Sequence, residues 1–228
     1  GYDSEYPLAY EVCKRSILKH ESNITIIPLK KNELQQSNSY RRPEDNNTST
    51  EYTYTRFLVP HLQRYQGHAL YCDSSFLWQC SPRTLEAYID LDCPVSVVKH
   101  DFTTCPTTTK FDNKPQVWYP RKNWSSLMLF NCTHPSCRRL RPNDIEEQTG
   151  EWLHQFKWVD GENDYQVGVL PQVYNFLIGY YSHPPTQDDL KAIHFTDGGP
   201  WLASYRNVPF ADTWSSYLSW EEFHSIVN

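Results

Sequence analysis

The stretch HALYCDSSFLW, residues 68–78, decides how the rest of the chain is read. An apolar run of strand length stops at Asp73, Ser74 and Ser75 before aromatic residues resume. A short apolar run bounded by polar residues reads as a buried strand. A carboxylate at its end needs a partner, because charge at the margin of a core is paired or ligand-bound. The pattern recurs outward: PVSVVKHD (94–101) ends on Asp101, SSLMLFN (125–131) ends on Asn131, and KAIHFT (191–196) carries His194 ahead of DGGPW. Between them lie helical stretches. PLAYEVCKRSILKH (7–20) sets Ala9, Val12, Cys13 and Ile17 at helical spacing behind a first-turn proline. EYTYTRFLVPHLQRY (51–65) reads as a helix broken near Pro60, and SPRTLEAYID (81–90) as a short helix with a serine cap. NITIIPL (23–29) reads as a further strand and RRPEDNNTSTE (41–51) as a polar, mobile loop, a candidate lid or acceptor contact. Strands alternating with helices predict an α/β sheet, whose ligand sits beyond the carboxyl ends of its strands. Asp73, Asp101, Asn131 and His194 are expected to converge there.

The 228 residues suit one domain spanning 1–228, a candidate module of a longer polypeptide. A formal net charge of −6 argues against nucleic-acid binding, which needs a basic footprint. No apolar run reaches the ~18 residues of a membrane span, and the N-terminus does not read as a signal peptide. Aromatic residues make up 15 % of the chain, which serves a sugar- or base-binding surface as well as a core. Seven cysteines without a C-x-x-C pair read as mostly reduced, buried thiols of a cytoplasmic-type protein, with a zinc hydrolase as the alternative. Glycosylation sequons occur at Asn23, Asn46, Asn47, Asn123 and Asn131, but the last two fall in a segment that reads as buried. An aspartate at one strand end and a histidine at another could share Mg²⁺ or Mn²⁺. A histidine flanked by Ile193 and Phe195 is equally readable as a core residue.

The ordered set STEYTYTRFLVPHL, ALYCDSSFLW, YPRKNWSSLMLFNC, LPQVYNFLIGYY and IHFTDGGPW resembles the small GT-A nucleotide-sugar glycosyltransferases of bacteria and large DNA viruses. These are related to glycosyltransferase family eight, and the first domain of a chlorella-virus glycosyltransferase is the nearest kin by this reading. The resemblance implies a single GT-A (Rossmann-like) α/β domain with a central mixed, mainly parallel sheet flanked by helices. It also implies transfer of a hexose or deoxyhexose from a UDP-sugar donor to a glycan acceptor, assisted by Mn²⁺ or Mg²⁺ and with retention of configuration. Localisation would be cytoplasmic, or the host cytoplasm for a viral protein. Residue by residue, Tyr2 and Asp3 would meet uracil and ribose, and Arg56 the diphosphate or sugar. Asp73 would be the first acid of a D-x-D motif, donor- and metal-binding along with Ser74 and Ser75, and His194 a further metal ligand. Asp101, Asn123 and Ser125 would grip the donor sugar's hydroxyls. Asp160, ahead of Glu162 and Asp164, would be the reaction-centre carboxylate.

Three departures from that family stand out. The motif reads Asp-Ser-Ser, so Ser75 offers a hydroxyl where a carboxylate is expected. The loss is compensated by water, His194 or donor phosphates; or it marks a substitution made to trap an inactive complex; or it marks a catalytically weak or inactive nucleotide-sugar-binding module. Gly199 stands where family-eight enzymes carry a lysine, which leaves the diphosphate contact to Arg56 or to backbone amides near Gly198. The sequence opens at GYD without the expected first strand, a reading under which one sheet edge is left open.

Overall fold

The computed structural model describes residues 1–45, 48–102, 109–110, 114–115, 118–159, 166–181 and 185–227. Its strands are β1 (His68–Cys72), β2 (Phe76–Trp78), β3 (Val95–Val97), β4 (Thr109–Lys110), β5 (Lys114–Pro115), β6 (Leu127–Asn131), β7 (Val167–Val169), β8 (Phe176–Leu177) and β9 (Ala192–His194). Its helices are α1 (Pro7–His20), α2 (Lys31–Gln36), α3 (Tyr52–Thr55), α4 (Val59–Leu62), α5 (Pro142–Glu147), α6 (Gly150–His154), α7 (Ala211–Ser215) and α8 (Trp220–Val227).

The central sheet has the order β1-β6-β3-β7. β1, β3 and β7 share one direction, and β6 runs against them between β1 and β3. The sheet is therefore mixed as expected, with parallel strands in the majority, yet the reversed strand makes two of its three ladders antiparallel. All five residues of β6 are buried, which is why it reads as an unbroken apolar run and not as an alternating one. A smaller sheet, β2-β9-β8, continues from the end of β1 through Asp73–Ser75.

α1 lies on β2. Val12, Cys13 and Ile17 are buried, each large apolar side chain contributing about 1.5–3 kcal/mol, and Ser16 Oγ accepts the Trp78 amide at 3.0 Å. Pro60 lies in the first turn of α4, which a 3₁₀ turn at Arg56–Leu58 separates from α3, so the expected break is present. Ser81 caps the short helix Pro82–Tyr88 by accepting from the Arg83 amide.

Two expectations need correction. NITIIPL is not a strand: Ile24 and Ile26 turn inward in alternation and Leu29 is buried, but no described strand pairs with it, so pattern alone did not make a ladder. Asn131 lies at the wrong end of the sheet. Because β6 is antiparallel, Asn131 pairs with His68 at the start of β1, where its side chain donates to Leu91 O and accepts from Thr133.

Candidate active site

Asp73 leaves the end of β1 with its amide bonded to Ser126 O, one step beyond the last pair of the β1/β6 ladder. What it holds is Arg56. Arg56 Nη1 meets Asp73 Oδ1 at 2.9 Å, and Tyr71 OH donates to the same oxygen at 2.8 Å. Arg56 is itself fixed: Nε donates to Tyr52 O at 3.0 Å, Nη1 to Ser125 O at 2.9 Å, and its guanidinium lies 5.4 and 5.3 Å from the ring centroids of Tyr52 and Tyr71. Burial pushes the Asp73 carboxyl above the usual range while Arg56 pulls it back down. The arginine therefore acts through Asp73 and through the strand ends around it.

His194 closes β9 and stacks on Phe76 with centroids 4.4 Å apart. Asn175 orients it: Asn175 Nδ2 donates to Ser126 Oγ at 2.9 Å, which turns its Oδ1 toward His194 Nδ1, also at 2.9 Å. Nδ1 then carries the proton and Nε2 is left with a lone pair, the state of a metal-ligating or hydrogen-bond-accepting imidazole. Burial keeps the ring neutral by holding its pKa well below the ordinary value.

A cleft of about 590 Å³ opens at these strand ends. Arg56, Asp73, Ser75, Asn123, Ser125 and His194 line it, so six of the expected residues are brought together. Asn123 takes the left-handed conformation (φ 66°), accepts from Thr196 Oγ1 at 3.1 Å and leaves its buried Nδ2 without a protein partner. An unmade bond of that kind costs about 1–3 kcal/mol, and a ligand oxygen would recover it. The Ser125 hydroxyl is engaged by His154 Nδ1 at 2.8 Å.

The other expected residues stand apart. Ser74 is buried, does not line this cleft, and its Oγ lies 3.4 Å from Tyr52 OH. Asp101 is exposed, because β3 ends at Val97 and the chain has left the strand end before reaching it. Tyr2 packs edge-on against Tyr10, and Asp3 is buried, accepting from the Glu5 and Glu51 amides at 3.0 and 3.1 Å. Asp3 thereby ties the N-terminal turn to the segment whose Thr48, Ser49 and Thr50 line the cleft. Gly198 has φ +140° and lies beyond the lining residues. Asp160, Glu162 and Asp164 lie outside the described residues.

Sequence reading missed Lys110, Lys122, Thr196 and His154, all in the cleft wall. Lys122 stood beside Asn123 inside YPRKNWSS and could have been found there; Lys110 belongs to no quoted motif. The donor set of Asp73, Ser75 and His194 fits a hard divalent cation only when phosphate oxygens or water complete it. Among the described residues no group of three or more His, Cys, Asp or Glu could hold an ion. The six described cysteines are free thiols, four of them buried, and gather no such site. Nor is any helix among the described residues long and apolar enough to cross a membrane.

No protein-family model matches the chain. It is 41 % identical over 229 residues to Protein CDI of Arabidopsis thaliana, covering 98 % of this chain and 85 % of that protein. In structure it is similar to the apo form of the glycosyltransferase GlyE of Streptococcus pneumoniae, with TM-score 0.60 and 17 % identity over 99 % of this chain; it spans 61 % of the GlyE chain. It is similar also to the bifunctional glycosyltransferase WbbM (TM-score 0.57, 14 % identity, 99 % of this chain and 50 % of that one). The galactosyltransferase LgtC, crystallised with donor and acceptor sugar analogues, gives TM-score 0.56 and 15 % identity over 99 % of this chain and 98 % of that one. At these identities the likeness speaks for the fold, and the fold is the GT-A type of α/β domain.

Proposed function

From a chain that belongs to the family of Protein CDI of Arabidopsis thaliana and a cleft built at the strand ends of a GT-A fold, we propose a glycosyltransferase that moves a sugar from a UDP-sugar donor to a glycan acceptor with retention of configuration. The observation that carries this reading is the meeting of Asp73, Ser75, Asn123, Ser125 and His194 around one cleft, with Arg56 locking Asp73 from behind. Asp73 and the neutral His194, with Ser75 between them in the wall, would hold Mn²⁺ or Mg²⁺ together with the donor's phosphates. When bound, such an ion supplies charge neutralisation for the departing diphosphate. Asn123 presents its unpartnered amide to a sugar hydroxyl, Thr48–Thr50 offer hydroxyls at the acceptor side, and Asp160 is the proposed reaction-centre carboxylate.

A second reading, a catalytically weak or inactive nucleotide-sugar-binding module, is favoured by Ser75, which takes one anion from the metal set. Thermal unfolding with UDP, with and without Mn²⁺, against other nucleotides tests both. At a hundredfold excess over the dissociation constant, binding stabilises by about 2.7 kcal/mol. A UDP-selective rise in Tm that grows with Mn²⁺ is expected for the transferase. A UDP shift indifferent to Mn²⁺ favours the binding module, and no shift with any nucleotide overturns both.

A further inference from the structure

Ser125 and His154 meet in the cleft wall, with Ser125 Oγ 2.8 Å from His154 Nδ1. Each is held from elsewhere. Ser125 is 3 % exposed and follows Asn123 in a turn that the Ser126 amide and hydroxyl close on Asn123 O, at 3.2 and 2.6 Å. Its carbonyl is taken by Arg56. His154 ends α6, which Thr149 caps by accepting the Trp152 amide at 3.0 Å. Its ring packs on α3 and the turn after it, with centroids 6.2 Å from Tyr54 and 5.1 Å from Phe57, and the Thr53 carbonyl accepts from it.

A neutral imidazole carries one N–H, and its other nitrogen is an acceptor. His154 is neutral, because withdrawal from water first and the Arg56 charge next hold its pKa well below the ordinary value. With Nε2–H given to Thr53, Nδ1 accepts, so the Ser125 hydroxyl spends its proton on His154 and keeps only lone pairs for the cleft. Asn123, two residues earlier in the same wall, has a buried Nδ2 with no protein partner. A hydroxyl group can donate to Ser125 Oγ and accept from Asn123 Nδ2 at once. A phosphate or carboxylate oxygen brings no proton for Ser125, and a C–H group satisfies neither.

We propose that His154 is a positioning residue which sets the polarity of Ser125, and that Ser125 and Asn123 thereby select a donor sugar bearing a hydroxyl at the position they reach. The inference rests on the donor-site reading above, and it separates a hexosyl donor from one deoxygenated at that position. A site built to bond a hydroxyl rejects the analogue lacking it, because its own buried polar groups are left unpaired. Two measurements test it. In wild type carrying isotopically labelled histidine, long-range proton–nitrogen correlation reads the tautomer of His154, whose signals are identified by their loss in His154→Asn. A proton on Nε2 and a bare Nδ1 are expected, and the opposite tautomer overturns the assignment. Calorimetry with Mn²⁺ present then compares UDP, UDP-glucose, UDP-galactose and the analogues of each sugar that lack one hydroxyl. Wild type is expected to bind one such analogue about tenfold or more weakly than its parent. His154→Leu should lose that preference and keep its affinity for UDP, whereas His154→Asn, with an amide oxygen able to accept in place of Nδ1, should retain it. Preference that survives in His154→Leu, or is missing from wild type that binds the parent sugars, overturns the inference and leaves the donor site standing. An equal loss of affinity for UDP and every sugar in His154→Leu makes the role structural and overturns it as well. Failure of wild type to bind any UDP-sugar removes the donor reading and this inference together. Should His154→Leu not fold, the tautomer and the selectivity of wild type decide.

Discussion

At the scale of single residues, the proposed cation site turns on Ser75. It shares the cleft wall with Asp73 and His194, and its buried hydroxyl carries no charge. A hard divalent ion is held chiefly by carboxylate oxygens. Ser75→Asp should raise Mn²⁺ affinity by about tenfold or more, the order seen when a partner of a metal site is gained or lost, and electron paramagnetic titration of free Mn²⁺ would read it. Unchanged affinity would mean that position 75 does not face the ion. Asp73 is a poor site for the opposite experiment, because deleting it strands the Arg56 guanidinium in the core.

At the scale of elements, that ion pair joins the α3–α4 segment to the end of β1. Both side chains are largely buried, and removing one partner of such a pair costs about 3–5 kcal/mol. Arg56→Met is expected to lower stability by that amount in urea unfolding, and UDP binding with it, since Asp73 and the Ser125 carbonyl lose their common donor. A loss below about 1 kcal/mol would show the pair to be a surface-type contact. The elements were legible to different degrees. α1, the break near Pro60, the serine cap at Ser81 and the strands at 68–72, 127–131 and 192–194 follow from periodicity, proline chemistry and apolar runs. NITIIPL failed because a strand needs a neighbour, which a single segment's alternation does not specify. Asp101 and Asn131 failed for different reasons: β3 stops at Val97, short of Asp101, and the apolar run ending at Asn131 does not show that its strand points away from the cleft. Asp73 and His194 were found because both sit directly at strand ends. Lys110 and Lys122 were passed over because isolated lysines in a polar stretch read as solvated.

For the whole molecule, the buried histidines set the acid limit. His100, His154 and His194 are kept neutral by burial, with folded-state pKa values below the usual 6.5 and that of His100 down to about 3. In the unfolded chain all three take up protons as pH falls through 6.5, whereas the folded chain resists. Their contribution is therefore intact above 6.5 and declines below it, by about 1.4 kcal/mol per pH unit for each proton taken up on unfolding. Asp3 and Asp73, whose folded values are raised by burial, pull the other way at lower pH. Urea midpoints at pH 7, 6 and 5 should fall with a net uptake of at least one proton; a flat profile across that range would contradict the burial of these rings. Glu222 behaves oppositely to the two aspartates. The two hydrogen bonds it accepts from the Arg15 guanidinium hold α8 against α1 and take its pKa down to about 2, so that contact persists above about 4.5 and weakens only as pH falls toward 2. The reversed course of β6 has a consequence of its own. β3 arrives at the cleft and β6 departs from it, so Lys110, Lys122 and Asn123, which fall between the two strands in sequence, reach one rim. Substitutions at these three rim positions alter no paired residue of the central sheet, which lets the lining of the cleft change while the scaffold beneath it stays as it is.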